Sequence, residues 1–299
     1  MNATKTMRLR RQTVSTVVIL LLPALVVYTL FVVYPVLQAM VYSLYRWNGF
    51  GALTDFRGLQ NFVRLFGDAV FLKALRNSFI IMVFSLLVQL PMAMVLALIV
   101  HKSDFRLAVL FRTVFFLPFV MSEIITGVLW QFIYHPRYGL INYVIHIFRP
   151  EAEPLALLAD PDTVLWAILV VILWKYFGLH MTIYIAGLQG ISEELYDAAR
   201  IDGASDFQVI TRIVLPLIKP TIMISVFFSI IGSLQVFDII WAMGRGGPVN
   251  SSETMVTYMY KFGLERYSIG YGSAVAVTIF LICLSFSVVY QRFLVRAAT

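Results

Sequence analysis

Three ionisable residues, Glu123, Lys175 and Asp238, lie within long apolar runs of this 299-residue chain. A charged side chain at the centre of a membrane span costs about 2.5–3.5 kcal/mol on insertion scales, so each needs a partner or a polar surrounding. Two kinds of chemistry fit this pattern. The side chains could be neutralised by one another or by a second subunit, or they could line a polar path for a solute. The sequence alone leaves both open.

Sequence patterns for catalysis and for nucleotide binding are absent. The chain has no His-Glu-x-x-His, no Gly-x-Ser-x-Gly and no clustered pair of carboxylates suited to catalysis. It also has no Gly-x-x-x-x-Gly-Lys-Ser/Thr segment to cradle ATP. The single cysteine, Cys283, excludes a disulfide framework and a cysteine-based zinc site. We therefore expect no enzymatic activity, no metal and no cofactor bound by this chain.

The composition indicates a membrane protein. Apolar residues make up 60% of the chain and charged residues 13%, and 23 Lys and Arg against 16 Asp and Glu give a net charge of +7. Soluble globular chains are about 45–50% apolar and about 25% charged. These values exclude an ordinary soluble enzyme, a disordered regulator and a protein that binds nucleic acid through a basic face. The expected surrounding is a lipid bilayer.

Six apolar runs are each long enough to cross a bilayer, which takes roughly 20 residues as a helix. Backbone polar groups in lipid must be satisfied within the segment, and continuous rather than alternating apolar runs exclude a barrel. We therefore predict an all-α polytopic protein that forms a single domain over 1–299. The predicted spans are 14–45, 77–100, 113–134, 163–188, 221–241 and 268–291.

The orientation follows from the basic residues. The amino-terminal tail, 1–12, contains Lys5, Arg8, Arg10 and Arg11 and no acidic residue. Basic residues near spans stay on the cytoplasmic side, and an even number of spans returns the chain to that side. We expect an uncleaved anchor, both termini in the cytoplasm and the loop 189–220 on the same side.

The loop 189–220 is predicted to form a helix–turn–helix. Gly203 can adopt the left-handed conformation that often ends a helix. Ser205 and Gln208 have the spacing of a capping box for a second helix, which Pro216 would end. The second helix has more apolar surface than a connector needs, so we expect it to fit a groove on another protein.

The same loop resembles the coupling motif of ABC importer permeases. That motif reads Glu-Ala-Ala, three residues, Gly, nine residues, Ile-x-Leu-Pro, and only Asp197 in place of Glu departs from it. The matching residues are Asp197-Ala198-Ala199-Arg200-Ile201-Asp202-Gly203-Ala204 and Ile213-Val214-Leu215-Pro216. Further patterns resemble the carbohydrate branch of that family, of the maltose/glycerol-phosphate type in its six-span form. They are Phe56-x-Gly58-Leu59-x-Asn61-Phe62, Gly246-Gly247-Pro248 with Glu253-Thr254, and Gly270-Tyr271-Gly272-Ser273-Ala274.

This resemblance implies a set of partners. Two copies of an ATP-binding subunit, which use ATP and Mg²⁺, would dock on the loop, and a second, related permease subunit would complete a heterodimer. A solute-binding protein would deliver the substrate on the outer side of a bacterial inner membrane. The residues implied at the docking contact are Asp197, Ala198, Ala199, Asp202, Gly203, Ala204, Leu215 and Pro216.

The resemblance also implies where a sugar is held, near mid-membrane on the spans before and after the loop. The corresponding positions are Lys175, Tyr176, Leu179, Ser229, Gly232 and Ser233, to which we add Glu123 and Asp238 as polar candidates. Tyr176 could stack on a sugar face, and the two serines, one helical turn apart, could bond hydroxyl groups. If Lys175 faces the path, an acidic or sulfonated sugar becomes a candidate substrate.

The predicted function is the permease subunit of an ATP-driven, binding-protein-dependent importer for a sugar, an oligosaccharide or a sugar derivative, working by alternating access. The alternative is a stand-alone secondary transporter. That class often contains inverted repeats with interrupted helices in matching halves, and this sequence has no evident repeat.

Overall fold

A computed structural model of the chain describes residues 18–101 and 107–298. The predicted amino-terminal tail, 1–12, and the first residues of the first predicted span lie outside the described residues. Within those two ranges the secondary structure is helical, with no strand and one isolated antiparallel bridge between Tyr45 and Phe56. The all-α prediction is confirmed.

The helices are numbered in chain order. They are α1 (Val18–Tyr42), α2 (Gln60–Gly67), α3 (Ala69–His101), α4 (Leu107–Val120), α5 (Glu123–Ile133), α6 (Leu140–Phe148), α7 (Val164–Gln189), α8 (Glu193–Ile201), α9 (Asp206–Leu217), α10 (Lys219–Gln235), α11 (Asp238–Gly244), α12 (Met255–Met259) and α13 (Ile269–Ala298). Among these, α1, α3, α7 and α13 are each long and apolar enough to cross a membrane.

Two bent helix pairs, α4 with α5 and α9 with α10, complete the set of candidate spans. Their bends are 101° and 69°, and counting each pair as one span gives six. The predicted span 113–134 corresponds to the first pair, in which the chain breaks at Met121 and Ser122. Pro118 lacks an N–H for the helical ladder and precedes this break. The predicted span 221–241 is likewise interrupted, since α10 ends at Gln235 and α11 begins at Asp238.

Residues 18–65 and Phe262–Thr278 form one compact unit. The Asn61 side-chain amide donates to the backbone oxygens of Ser43 at 2.8 Å and Tyr45 at 3.0 Å. Both oxygens follow the end of α1, where helical carbonyls lack partners. A β-carbon at Gly270 would lie 2.1 Å from the Tyr45 oxygen. The two patterns that contain Asn61 and Gly270 thus describe the chain around the end of α1.

The second compact unit comprises Phe66–Lys261 and 279–298, and α7 lies at its centre. In the most apolar stretch of 18 residues in α7, 67% of the residues are buried. Glycines let other helices approach closely: a β-carbon at Gly178 would lie 1.9 Å from the backbone oxygen of Phe115 on α4, and one at Gly187 would lie 2.7 Å from Thr221 on α10. Small residues at such contacts are typical of helix packing in membranes.

The predicted helix–turn–helix is present as α8 and α9. Gly203 has a φ of 76°, its N–H bonds the Arg200 oxygen, and the Ala204 N–H bonds the Ala199 oxygen, each at 3.0 Å. These two bonds form a Schellman motif, which requires the left-handed residue. Ser205 and Gln208 then form the predicted capping box at the start of α9.

Candidate functional site

A cavity of about 550 Å³ lies within the second compact unit, between α3, α5, α7 and α10. It contains six of the eight residues predicted to line a substrate path. These are Glu123, Tyr176, Leu179, Ser229, Gly232 and Ser233. The other two, Lys175 and Asp238, are not on its wall. The cavity therefore gathers side chains that are more than 100 residues apart in the sequence.

Lys175 faces away from the cavity, into the break between α4 and α5. Its side chain is 2% exposed, and its Nζ donates to the backbone oxygens of Pro118 and Phe119 at 3.1 Å each and to that of Met121. The last carbonyls of a helix have no partner within the helix, and a cation is favourable at this negative end of the helix dipole. Lys175 thus caps the carboxyl end of α4.

Glu123 begins α5 on the other side of this break. The Tyr176 hydroxyl donates to its carboxylate, which also benefits from the positive end of the α5 dipole. The Phe119 and Tyr176 rings meet edge to face at 6.3 Å. Two consecutive residues of α7, Lys175 and Tyr176, therefore hold the two sides of the break. The sequence left open that Lys175 pairs with a carboxylate. Among the residues that the structure describes, this ion pair is not formed.

Ser229 and Ser233 are both buried and lie one helical turn apart on α10. Among the residues that the structure describes, the Ser229 hydroxyl oxygen has no hydrogen-bond partner. A buried hydroxyl without a partner costs about 1–3 kcal/mol, so this position favours a ligand that bonds it. Gly232 between them leaves open space, since a β-carbon there would meet no atom within 4 Å.

Four further polar residues line the cavity, and the sequence analysis did not assign them to it. They are Ser85, Gln89, His180 and Gln235. Ser85 donates to the Gln89 side chain at 3.1 Å within a π-helical turn of α3, Ser85–Gln89. His180 Nδ1 and the Ser225 hydroxyl lie 2.6 Å apart, which joins α7 to α10. Polar side chains inside apolar runs were the available signal, but the sequence does not tell which of them point the same way.

Asp238 lies at the first position of α11 and is half-buried. A carboxylate is favourable at this positive end of the helix dipole. It is close enough to Tyr176 to act on that side chain electrostatically. It lies two residues after Val236, which lines the cavity.

Of the eight residues predicted to contact an ATPase, six lie on or beside the turn between α8 and α9, and Leu215 and Pro216 lie near the carboxyl end of α9. Ala199 is buried, whereas Asp197, Ala198, Asp202, Gly203 and Pro216 are exposed and Ala204 and Leu215 half-buried. Asp197 forms an exposed ion pair with Arg200 at 3.5 Å.

The two helices pack against the carboxyl end of α7. Val209 and Val214 join one buried cluster with Tyr184 and Leu188. Burial raises the pKa of Tyr196, which packs against this cluster from α8. On the opposite side two large apolar side chains project outward, Ile201 at 87% and Phe207 at 75% exposed. The turn thus presents an apolar surface on a firmly packed base.

Comparisons with known proteins find a matching family profile and several similar chains. The profile of the family described as "Binding-protein-dependent transport system inner membrane component" matches residues 89–298. The chain is 35% identical over 274 residues to the probable ABC transporter permease protein YurN of Bacillus subtilis (strain 168), covering 91% of this chain and 94% of that protein. It is 34% identical over 262 residues to the lactose transport system permease protein LacF of Rhizobium radiobacter, covering 87% of each.

A solved structure has the same fold. A crystal structure of a bacterial ABC transporter involved in the import of the acidic polysaccharide alginate matches with a TM-score of 0.84, covering 97% of this chain and 99% of that one. The sequences are 24% identical, so this likeness speaks for the fold alone.

Proposed function

The chain belongs to the family of binding-protein-dependent transport system inner membrane components, and from this premise we propose that it forms part of the membrane path of an ATP-driven importer for a sugar or oligosaccharide. The observation that carries the proposal is the cavity. It combines an aromatic ring at Tyr176, an unpartnered buried hydroxyl at Ser229 and a carboxylate at Glu123. Aromatic faces and hydroxyl-bonding groups are what a saccharide needs from a binding site.

The helix–turn–helix is the proposed coupling segment. Its exposed Ile201 and Phe207 suit an apolar groove on a partner, and its base packs against α7, one of the helices that line the cavity. A closure that moves α8 and α9 would therefore move α7 with it. Alternating access needs such a link, because ATP can shift the permease only by binding one state better than the other.

The proposed assembly follows from this reading. One ATP-binding subunit docks on this chain and a second copy docks on a related permease subunit, so that ATP and Mg²⁺ act outside the present chain. In this proposed assembly, α8, α9 and both termini lie on the cytoplasmic side of the bacterial inner membrane. A solute-binding protein delivers the sugar from the other side.

Substitutions at Gly203 test the coupling role. Its φ of 76° is accessible to Asn but strained for a β-branched residue and forbidden to Pro. We expect Gly203→Pro and Gly203→Val to insert normally but to lose the ATPase subunit on copurification and to abolish transport, whereas Gly203→Asn keeps both. Normal transport by Gly203→Pro would contradict the docking role.

A further inference from the structure

We infer that the cavity selects saccharide units without a negative charge, and that Glu123 sets this preference. The inference rests on the proposed function, since it takes the cavity as a saccharide site. It concerns the chemical class of the substrate, which neither the fold nor the family decides.

The charged side chain on the described wall of the cavity is acidic. Glu123 is the carboxylate on its wall, and none of the described residues that line it is Lys or Arg. Asp238 begins α11 two residues after Val236, which lines the cavity. The one basic side chain that α7 offers, Lys175, is committed to the carbonyls of the α4 end and cannot reach a ligand without giving up those bonds.

An anionic sugar beside Glu123 would therefore meet repulsion with no Lys or Arg on the described wall to bond it. The buried ammonium of Lys175 is near enough to act on Glu123, but it is held by the α4 carbonyls. Two unit charges about 6 Å apart in a medium of effective dielectric about 20 repel strongly enough to weaken binding on the order of a hundredfold. A sugar hydroxyl or ammonium group instead finds an acceptor. An ionised carboxylate has about four acceptor positions, and the Tyr176 hydroxyl takes one of them on Glu123.

The remaining polar groups suit neutral hydroxyls. The Ser229 hydroxyl has no partner within the described part of the chain, and the Gln235 side chain on the cavity wall can both donate and accept. Neither compensates a full negative charge. The cavity thus offers dipoles for hydroxyl groups and one fixed negative charge for a donor.

Binding of matched disaccharides to the assembled transporter tests this inference. The probes are β-1,4-linked disaccharides of glucose, glucosamine and glucuronic acid, and saturation-transfer NMR on lipid nanodiscs measures each affinity. The solute-binding protein is left out, so that its selectivity does not enter. We expect the glucose and glucosamine disaccharides to bind, and the glucuronic acid disaccharide to bind on the order of a hundredfold more weakly.

Glu123→Gln should bring the glucuronic acid disaccharide to within about tenfold of the glucose disaccharide and should weaken the glucosamine disaccharide by about tenfold. Glu151→Gln, an exposed carboxylate away from the cavity wall, should leave the ranking unchanged. If Glu123→Gln fails to fold, the wild-type ranking alone decides.

A glucuronic acid disaccharide that binds the wild type as tightly as the glucose disaccharide would overturn the inference and leave the proposed function intact. A failure of all three probes to bind would instead overturn the saccharide site itself, and the charge preference with it.

Discussion

Replacing Lys175 by methionine removes one ammonium group from the carbonyls that end α4. Methionine retains most of the length of the lysine side chain, so the packing of α7 is largely preserved. The three backbone oxygens of Pro118, Phe119 and Met121 lose their donor in a site that is 2% exposed at Lys175. The substitution therefore tests the cap at the break rather than the core.

The expected loss of stability follows from two destabilising contributions and one that opposes them. A hydrogen bond to a charged group contributes about 1.5–3 kcal/mol, and each buried carbonyl left without a donor costs about 1–3 kcal/mol. Removing the ammonium relieves a desolvation penalty of several kcal/mol. We expect a net destabilisation of about 2–4 kcal/mol and a looser angle between α4 and α5.

Two measurements check this expectation. Thermal unfolding of the purified chain should shift to lower temperature for Lys175→Met, and less for Lys175→Arg, which retains donors. Spin labels at Val109 and Phe132, both exposed, report the bend. Straightening a 101° bend between helices of 14 and 11 residues would lengthen the span on the order of 10 Å, so the distance distribution should broaden toward longer values.

A matched control is Lys219→Met, an exposed lysine at the start of α10, which should change neither measurement. The reasoning is refuted if Lys175→Met unfolds at the wild-type temperature with an unchanged distance distribution. The same variant would then point to a role in the path if it altered the binding of an anionic sugar.

Two further predictions concern backbone positions. Gly178→Ala places a β-carbon 1.9 Å from the Phe115 oxygen, so α4 and α7 must separate. We expect thermal unfolding to show a loss of stability of about 1–3 kcal/mol for this variant and no comparable loss for Gly232→Ala. Equal stability of the two variants would contradict the close packing of α4 on α7. Ser205→Ala removes the cap of α9 and should destabilise that helix by about 1 kcal/mol, which faster amide exchange in α9 would show. Ser205→Asp should retain the protection from exchange. Unchanged exchange in Ser205→Ala would rule out the capping role.

The helix–turn–helix could be predicted from sequence because local rules specify it. A glycine with positive φ and a capping box at Ser205 and Gln208 depend on neighbouring residues only, and both are found as predicted. Three residues of the coupling motif also have a structural role. Ala199, Gly203 and Ala204, together with Arg200, form the two hydrogen bonds of the Schellman motif.

Hydropathy could not predict the break at Met121 and Ser122, because it measures transfer from water and not the direction of the chain. Lys175 raised the same difficulty. Its partners are backbone carbonyls, which every residue has, so no side-chain pattern identifies them. Tyr176 and Ser229 were placed on the path by resemblance, and the structure locates both on one cavity wall.

The central claim is tested most directly by uptake into proteoliposomes that contain the chain with its permease partner and two ATP-binding subunits. With the solute-binding protein and a labelled sugar on one side, we predict accumulation only when ATP and Mg²⁺ are present on the side of the ATP-binding subunits. Accumulation by this chain alone, driven by a proton or sodium gradient without ATP, would contradict it.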